Sequence, residues 1–187
     1  QNKAPIAAAG ATNRLASWAL AMQVEGVPNL YKVSETLYRS AQPTAGGMRK
    51  LKEIGIKTVV NLRSFHSDSD EIAGTGLAYE HVYMKAWHPE PKEVEKFLSI
   101  VTDTNRTPVL VHCQHGADRT GTMCALYRIV VQGWTKDEAL KEMVEGGYGF
   151  HEIWENLLQW IQGLNIEEIR KKTLQTTNAV ISSRRSF

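Results

Sequence analysis

The stretch Pro108-Val109-Leu110-Val111-His112-Cys113-Gln114-His115-Gly116-Ala117-Asp118-Arg119-Thr120-Gly121 decides the fold. Val109 to Val111 are apolar on both faces, which predicts a strand buried at the centre of a parallel sheet. Gly116 permits a tight turn, and a helix is expected from Arg119 to Gln132. Working outward, Pro91 opens a helix to about Thr102 with Val94, Phe97, Leu98 and Val101 on one face. Lys57–Leu62 and Tyr79–Met84 read as further strands. Tyr31–Val33 and Leu37–Ser40 read as a strand pair joined by a turn at Ser34-Glu35. Thr44 caps a helix that Gly55 stops, and Thr135 with Glu138 forms a capping box for a helix to about Glu145. An amphipathic helix is expected over Phe150–Ile161, with Ile166–Lys172 extending the helical end. This alternation predicts a three-layer α/β domain with a central, mostly parallel sheet flanked by helices. Ligands in such folds bind at the carboxyl ends of the strands, where Cys113 falls.

The 187 residues have room for one such domain. Its expected span is 29–170, with an N-terminal arm at 1–28, carrying a short helix around Leu15–Met22, and an unstructured tail at 171–187. A formal net charge of +2 with 22% charged residues gives no basis for a nucleic-acid partner. The absence of an apolar run of about 18 residues argues against stable membrane insertion. Cys113 and Cys124 are the two cysteines, too few for a disulfide framework. Oligomeric state is not legible.

The chemistry follows from the turn. Backbone N–H groups of Gln114, His115, Gly116, Ala117, Asp118 and Arg119, curled at a helix N-terminus, would cradle the oxygens of a phosphate. The helix dipole and Arg119 would favour a Cys113 thiolate as nucleophile. The planar Arg119 fork matches two phosphate oxygens and follows charge as the phosphoryl group moves. In supporting positions, Thr120 is placed to donate its hydroxyl toward the Cys113 sulfur, and His112 to order the loop from the strand side.

His-Cys-x-x-Gly-x-x-Arg-Thr-Gly is the signature of the protein tyrosine phosphatase superfamily, which this chain resembles. The segments Asn29–Ser34, Leu37–Pro43, Thr58–Arg63 and Tyr127–Trp134 are similar to those of compact bacterial dual-specificity-type phosphatases. The resemblance covers roughly residues 29–149. It implies a dual-specificity phosphatase fold, a phosphocysteine intermediate, no metal or cofactor, and a periplasmic or otherwise exported location, with a cytoplasmic one as the alternative.

One departure matters. The family's general acid is usually an aspartate on the loop that here reads Lys85-Ala86-Trp87-His88-Pro89-Glu90-Pro91, which has none. His88 and Glu90 are candidates by position. Asp118, directly before Arg119 as in myotubularin-type lipid phosphatases, is the preferred acid and the base for the second step. That likeness leaves two substrate classes open. Phosphotyrosine- or phosphoserine-type proteins are preferred by the family resemblance, and an aromatic wall of Trp87 or Phe65 would suit phosphotyrosine. Inositol phosphates or phosphoinositides fit contacts from Arg63, Lys85, His88 and His115. A sulfur-handling or arsenate-reducing enzyme is disfavoured by the Arg119-Thr120-Gly121 ending, and a dead binding module by the joint presence of Cys113 and Arg119. Arg39 is expected to buttress the loop or form an internal salt bridge, Cys124 to pack in the core, His115 to face solvent, and Ser67–Glu71 to be a solvated loop and helix start.

Overall fold

A computed structural model describes residues 15–184, so the first half of the expected arm, residues 1–14, lies outside the described residues. Six strands form one sheet: β1 (Leu20–Ala21), β2 (Tyr31–Lys32), β3 (Leu37–Ser40), β4 (Thr58–Asn61), β5 (Ala78–His81) and β6 (Val109–His112). Their order is β1-β2-β3-β6-β4-β5. β6 lies at the centre, parallel to β3 and β4, and β4 is parallel to β5. The first two pairings are antiparallel.

The apolar run of β6 divides as its alternation requires. Leu110 and its register partner Val59 pack with Met48, Leu51 and Ile56 beneath α1 (Ala45–Glu53). Val109, Val111 and Val60 turn to the other face. There they meet α3 (Pro91–Val101), α4 (Asp118–Val130), α5 (Lys136–Glu145), α6 (Glu155–Gly163) and the start of α7 (Ile166–Arg184). The short α2 (Ser69–Ile72) packs on α1. The three-layer reading therefore holds, with two unequal helical layers. The caps act as expected: Thr44 accepts from the Gly47 N–H, Thr135 and Glu138 close a capping box, and Pro91 opens α3.

Three local expectations are corrected. The helix expected around Leu15–Met22 is instead the edge strand β1, and Trp18, Ala19 and Val27 are buried. The Ala19 N–H donates to the buried Glu142 Oε1 at 2.7 Å, so the core draws in a segment whose own pattern is too short to declare it. The tail expected from residue 171 is helical through Arg184. Its first turns are anchored by buried Ile169 and Thr173 and by a Lys172–Glu95 ion pair at 3.1 Å. The helix expected from Phe150 begins at Glu155 after a 3₁₀ turn at Glu152–Trp154, because His151 is held elsewhere.

Candidate active site

Cys113 follows the last residue of β6 and is buried at 1% exposure. Residues 113–117 link the carboxyl end of β6 to the first turn of α4. The backbone N–H groups of Gln114, His115, Gly116 and Ala117 have no hydrogen-bond acceptor among the described residues, which leaves them available to an anion. Gly116 is required twice over. Its φ is +71°, and a Cβ there would meet the Ser40 carbonyl carbon at 2.4 Å. At the end of the signature, Gly121 lets α4 approach α5, since a Cβ would touch Met143 Cγ at 3.0 Å.

The loop is braced from outside. Buried Arg39 donates to the Gly116 carbonyl at 2.8 Å and stacks 3.6 Å above the Tyr148 ring, the buttressing expected of it. The Asn29 amide donates to the carbonyls of His115 (3.0 Å) and Tyr148 (2.9 Å). At the strand side, His112 and Asp68 meet at 2.7 Å with both side chains fully buried. Asp68 also accepts from Gln42 at 2.9 Å and Asn61 at 3.2 Å. Burial alone would raise the Asp68 carboxyl, but the contacts with His112, Gln42 and His66 outweigh it and hold the group below the usual carboxylate range. The solvated-loop reading of Ser67–Glu71 therefore fails at Asp68, the side chain on which that segment closes.

At the helix side, Asp118 is 6% exposed. Its Oδ1 accepts from the His151 backbone N–H at 2.9 Å, and its Oδ2 lies 2.8 Å from His151 Nδ1. The Thr120 hydroxyl is buried and has no partner among the described residues, so the expected donation to the Cys113 sulfur is not formed here. Cys124 is a core residue whose thiol burial pushes up to about 11.

A cavity of about 310 Å³ opens over the loop, lined by Gln114, His115, Asp118 and Arg119 and by Arg63, Phe65, Trp87 and Trp154 among others. Phe65 and Trp87 are strongly exposed. His88 and Glu90 are not part of this lining. Glu90 caps α3, where Lys92 at 2.6 Å holds its carboxyl below the usual range, and the His88 N–H donates to the Lys85 carbonyl. Sequence reasoning missed Asp68 and His151. They lie 44 and 33 residues from the partners they serve, and no local spacing announces them. His151 does follow the glycine-broken segment Gly146-Gly147-Tyr148-Gly149, which marks where the chain turns back toward the loop.

A cysteine-bearing loop between a central parallel strand and a helix, with an arginine at its end, is the arrangement of a cysteine-dependent phosphatase. The chain belongs to the dual-specificity protein tyrosine phosphatase family: residues 15–156 match the model described as DSP-PTPase phosphatase fused to NAD+ kinase. It is 39% identical over 168 residues, 88% of this chain and 74% of the relative, to the dual specificity protein phosphatase TpbA of Pseudomonas aeruginosa. The crystal structure of a Cys-to-Ser variant of P. aeruginosa TpbA in complex with pTyr superposes with a TM-score of 0.77 at 34% identity, covering 87% of this chain and 99% of that one. The core catalytic domain of the PP-IP phosphatase SIW14 from S. cerevisiae shares the fold, with a TM-score of 0.70 at 22% identity over 82% and 95% of the two chains. No helix among the described residues is long and apolar enough to cross a membrane.

Proposed function

We propose that this chain hydrolyses phosphotyrosine- and phosphoserine-type monoesters on proteins, with Cys113 as nucleophile, Arg119 as phosphate clamp and Asp118 as proton carrier. The observation that carries this reading is the joint lining of one cavity by Asp118, Arg119 and the exposed aromatic rings of Phe65 and Trp87, over the loop that Cys113 begins. The Cys113 sulfur attacks phosphorus as the bond to the leaving oxygen breaks. Backbone N–H groups of residues 114–119 and the Arg119 fork hold the three equatorial oxygens. Asp118 gives its proton to the leaving oxygen, then takes one from water as that water attacks the phosphocysteine. Phosphate leaves and the thiolate is restored. The anchoring of Asp118 by His151 supports it over His88 and Glu90, since the proton carrier must be positioned before its pKa matters.

A second reading, inositol phosphates, draws support from Arg63 and His115 in the same lining. An Arabidopsis thaliana relative named inositol diphosphatase DSP5 is 26% identical over 126 residues. Turnover of phosphotyrosine peptides against a panel of inositol phosphates, with Cys113→Ser as control, separates the two. Faster turnover of the peptides by wild type, abolished in Cys113→Ser, is expected. A preference for the inositol panel would replace the substrate class, and activity surviving in Cys113→Ser would overturn the mechanism. We also propose a periplasmic or otherwise exported location, which fractionation of the expressing cell tests.

A further inference from the structure

The mouth of the cavity carries more donors than phosphoryl transfer uses. A ring nitrogen of His115, one of His151 and a carboxylate oxygen of Asp118 all lie within 4.8 Å of one another. Two imidazoles and one carboxylate are a donor set of zinc sites that keep a fourth position open. The backbone orients two of the three: the His151 N–H holds Asp118 Oδ1, which leaves Oδ2 facing the His151 ring. The His115 carbonyl is pinned by Asn29, while its ring lies 5.2 Å from that of His151 and tilted by 55°. Bonds of about 2.0–2.2 Å to a tetrahedral ion need donors roughly 3.3 Å apart. The His151 Nδ1 and Asp118 Oδ2 atoms already lie 2.8 Å apart, and both histidines are exposed, which leaves their rings room to rotate.

A second cluster, His66, Asp68 and Glu71, has comparable spacing but a different state. Both Asp68 oxygens are already taken, Oδ2 by His112 and Oδ1 by Gln42 and Asn61, and a metal there would have to break that buried network. At Asp118 a metal displaces one hydrogen bond to a half-exposed imidazole.

We propose that His115, Asp118 and His151 form a site for a zinc-type divalent transition-metal ion at the mouth of the cavity, and that its occupancy blocks phosphatase turnover. The ion takes Asp118 Oδ2 as a ligand, so the carboxylate no longer carries a proton to the leaving oxygen. Binding stands on the donor geometry alone. The block rests on the proton role given to Asp118 above.

The test uses the full chain with Cys113→Ser, which removes the thiolate as a competing ligand. Zn²⁺ is titrated calorimetrically and Co²⁺ by visible absorption. One Zn²⁺ per chain and a tetrahedral Co²⁺ spectrum are expected. Adding His115→Ala or His151→Ala should weaken binding at least as much as the roughly 10- to 100-fold lost with an outer-shell partner, with thermal melting to show that each variant folds. His88→Ala should leave affinity unchanged. No binding, or binding indifferent to both His115→Ala and His151→Ala, overturns the site. If Cys113→Ser binds zinc as expected but zinc leaves wild-type turnover unchanged, the block is overturned, and with it the proton role of Asp118 rather than the phosphocysteine mechanism.

Discussion

Two aspartate–histidine pairs bracket the loop of residues 113–117 with nearly the same contact distance and opposite surroundings. Asp68 and His112 meet at 2.7 Å with no solvent exposure on either side chain, beneath the strand end that delivers Cys113. Asp118 and His151 meet at 2.8 Å where the cavity opens, with 9% and 46% of their side chains exposed. The same two residue types therefore do different work. The buried pair cannot exchange its partners without leaving polar atoms unsatisfied, so it fixes the loop. The open pair can trade its hydrogen bond for a proton transfer or a ligand, which suits it to the role proposed for Asp118.

Breaking the open pair at its carboxylate should have the largest effect. Asp118→Asn is expected to lower kcat on a phosphotyrosine peptide by about 10²- to 10⁴-fold, the usual worth of a positioned acid, and to slow an activated aryl phosphate far less. Near wild-type turnover on the peptide would remove Asp118 from the mechanism. Breaking the buried pair should show in stability instead. Asp68→Ala strands His112, Gln42 and Asn61 and should cost roughly 3 kcal/mol by urea unfolding. A loss below about 1 kcal/mol would mean that the pair is not what holds the loop.

Acid sharpens the same contrast. The carboxyls of Asp68 and of Glu142 are both held below the usual range. In Glu142, burial opposes the Arg128 pairing and is outweighed by it together with the bonds from Ala19 and Tyr148. A depressed folded-state value means that the stabilisation is complete above the unfolded values near 4 and is lost as pH falls through the folded ones. Urea midpoints should be level from about pH 7 to 5 and drop below about pH 4, and Asp68→Asn should flatten part of that drop. The smallest effect belongs to His151→Ala. Loss of one half-exposed hydrogen bond worth about 1 kcal/mol should lower kcat several-fold while moving the thermal midpoint little. A large stability loss with unchanged kcat would instead make this pair structural.

The parts of the molecule legible in its sequence are those fixed by neighbours in the chain. Val109–Val111 declared a central strand because burial on both faces demands an unbroken apolar run, and Leu110 and Val111 do pack on opposite helical layers. Thr44, Pro91 and the Thr135/Glu138 box declared their helices because a cap acts within one turn. Gly116 declared its turn. What stayed hidden depends on distant contacts. β1 is two residues whose pairing exists only once β2 is in place. Asp68 sat in a run of serines and acids that reads as solvated, until the fold brings His112 against it. His151 looked like the start of an amphipathic helix, and only the return of the chain past Tyr148 gives it Asp118.

The central claim is that phosphate passes through the Cys113 sulfur. Rapid acid quench of wild type turning over a phosphotyrosine peptide, followed by peptide mass analysis, tests it directly. The mass of one phosphoryl group is expected on the peptide bearing Cys113, and its absence together with lost turnover in Cys113→Ser. Label on any other residue, or turnover that survives in Cys113→Ser, would contradict the account.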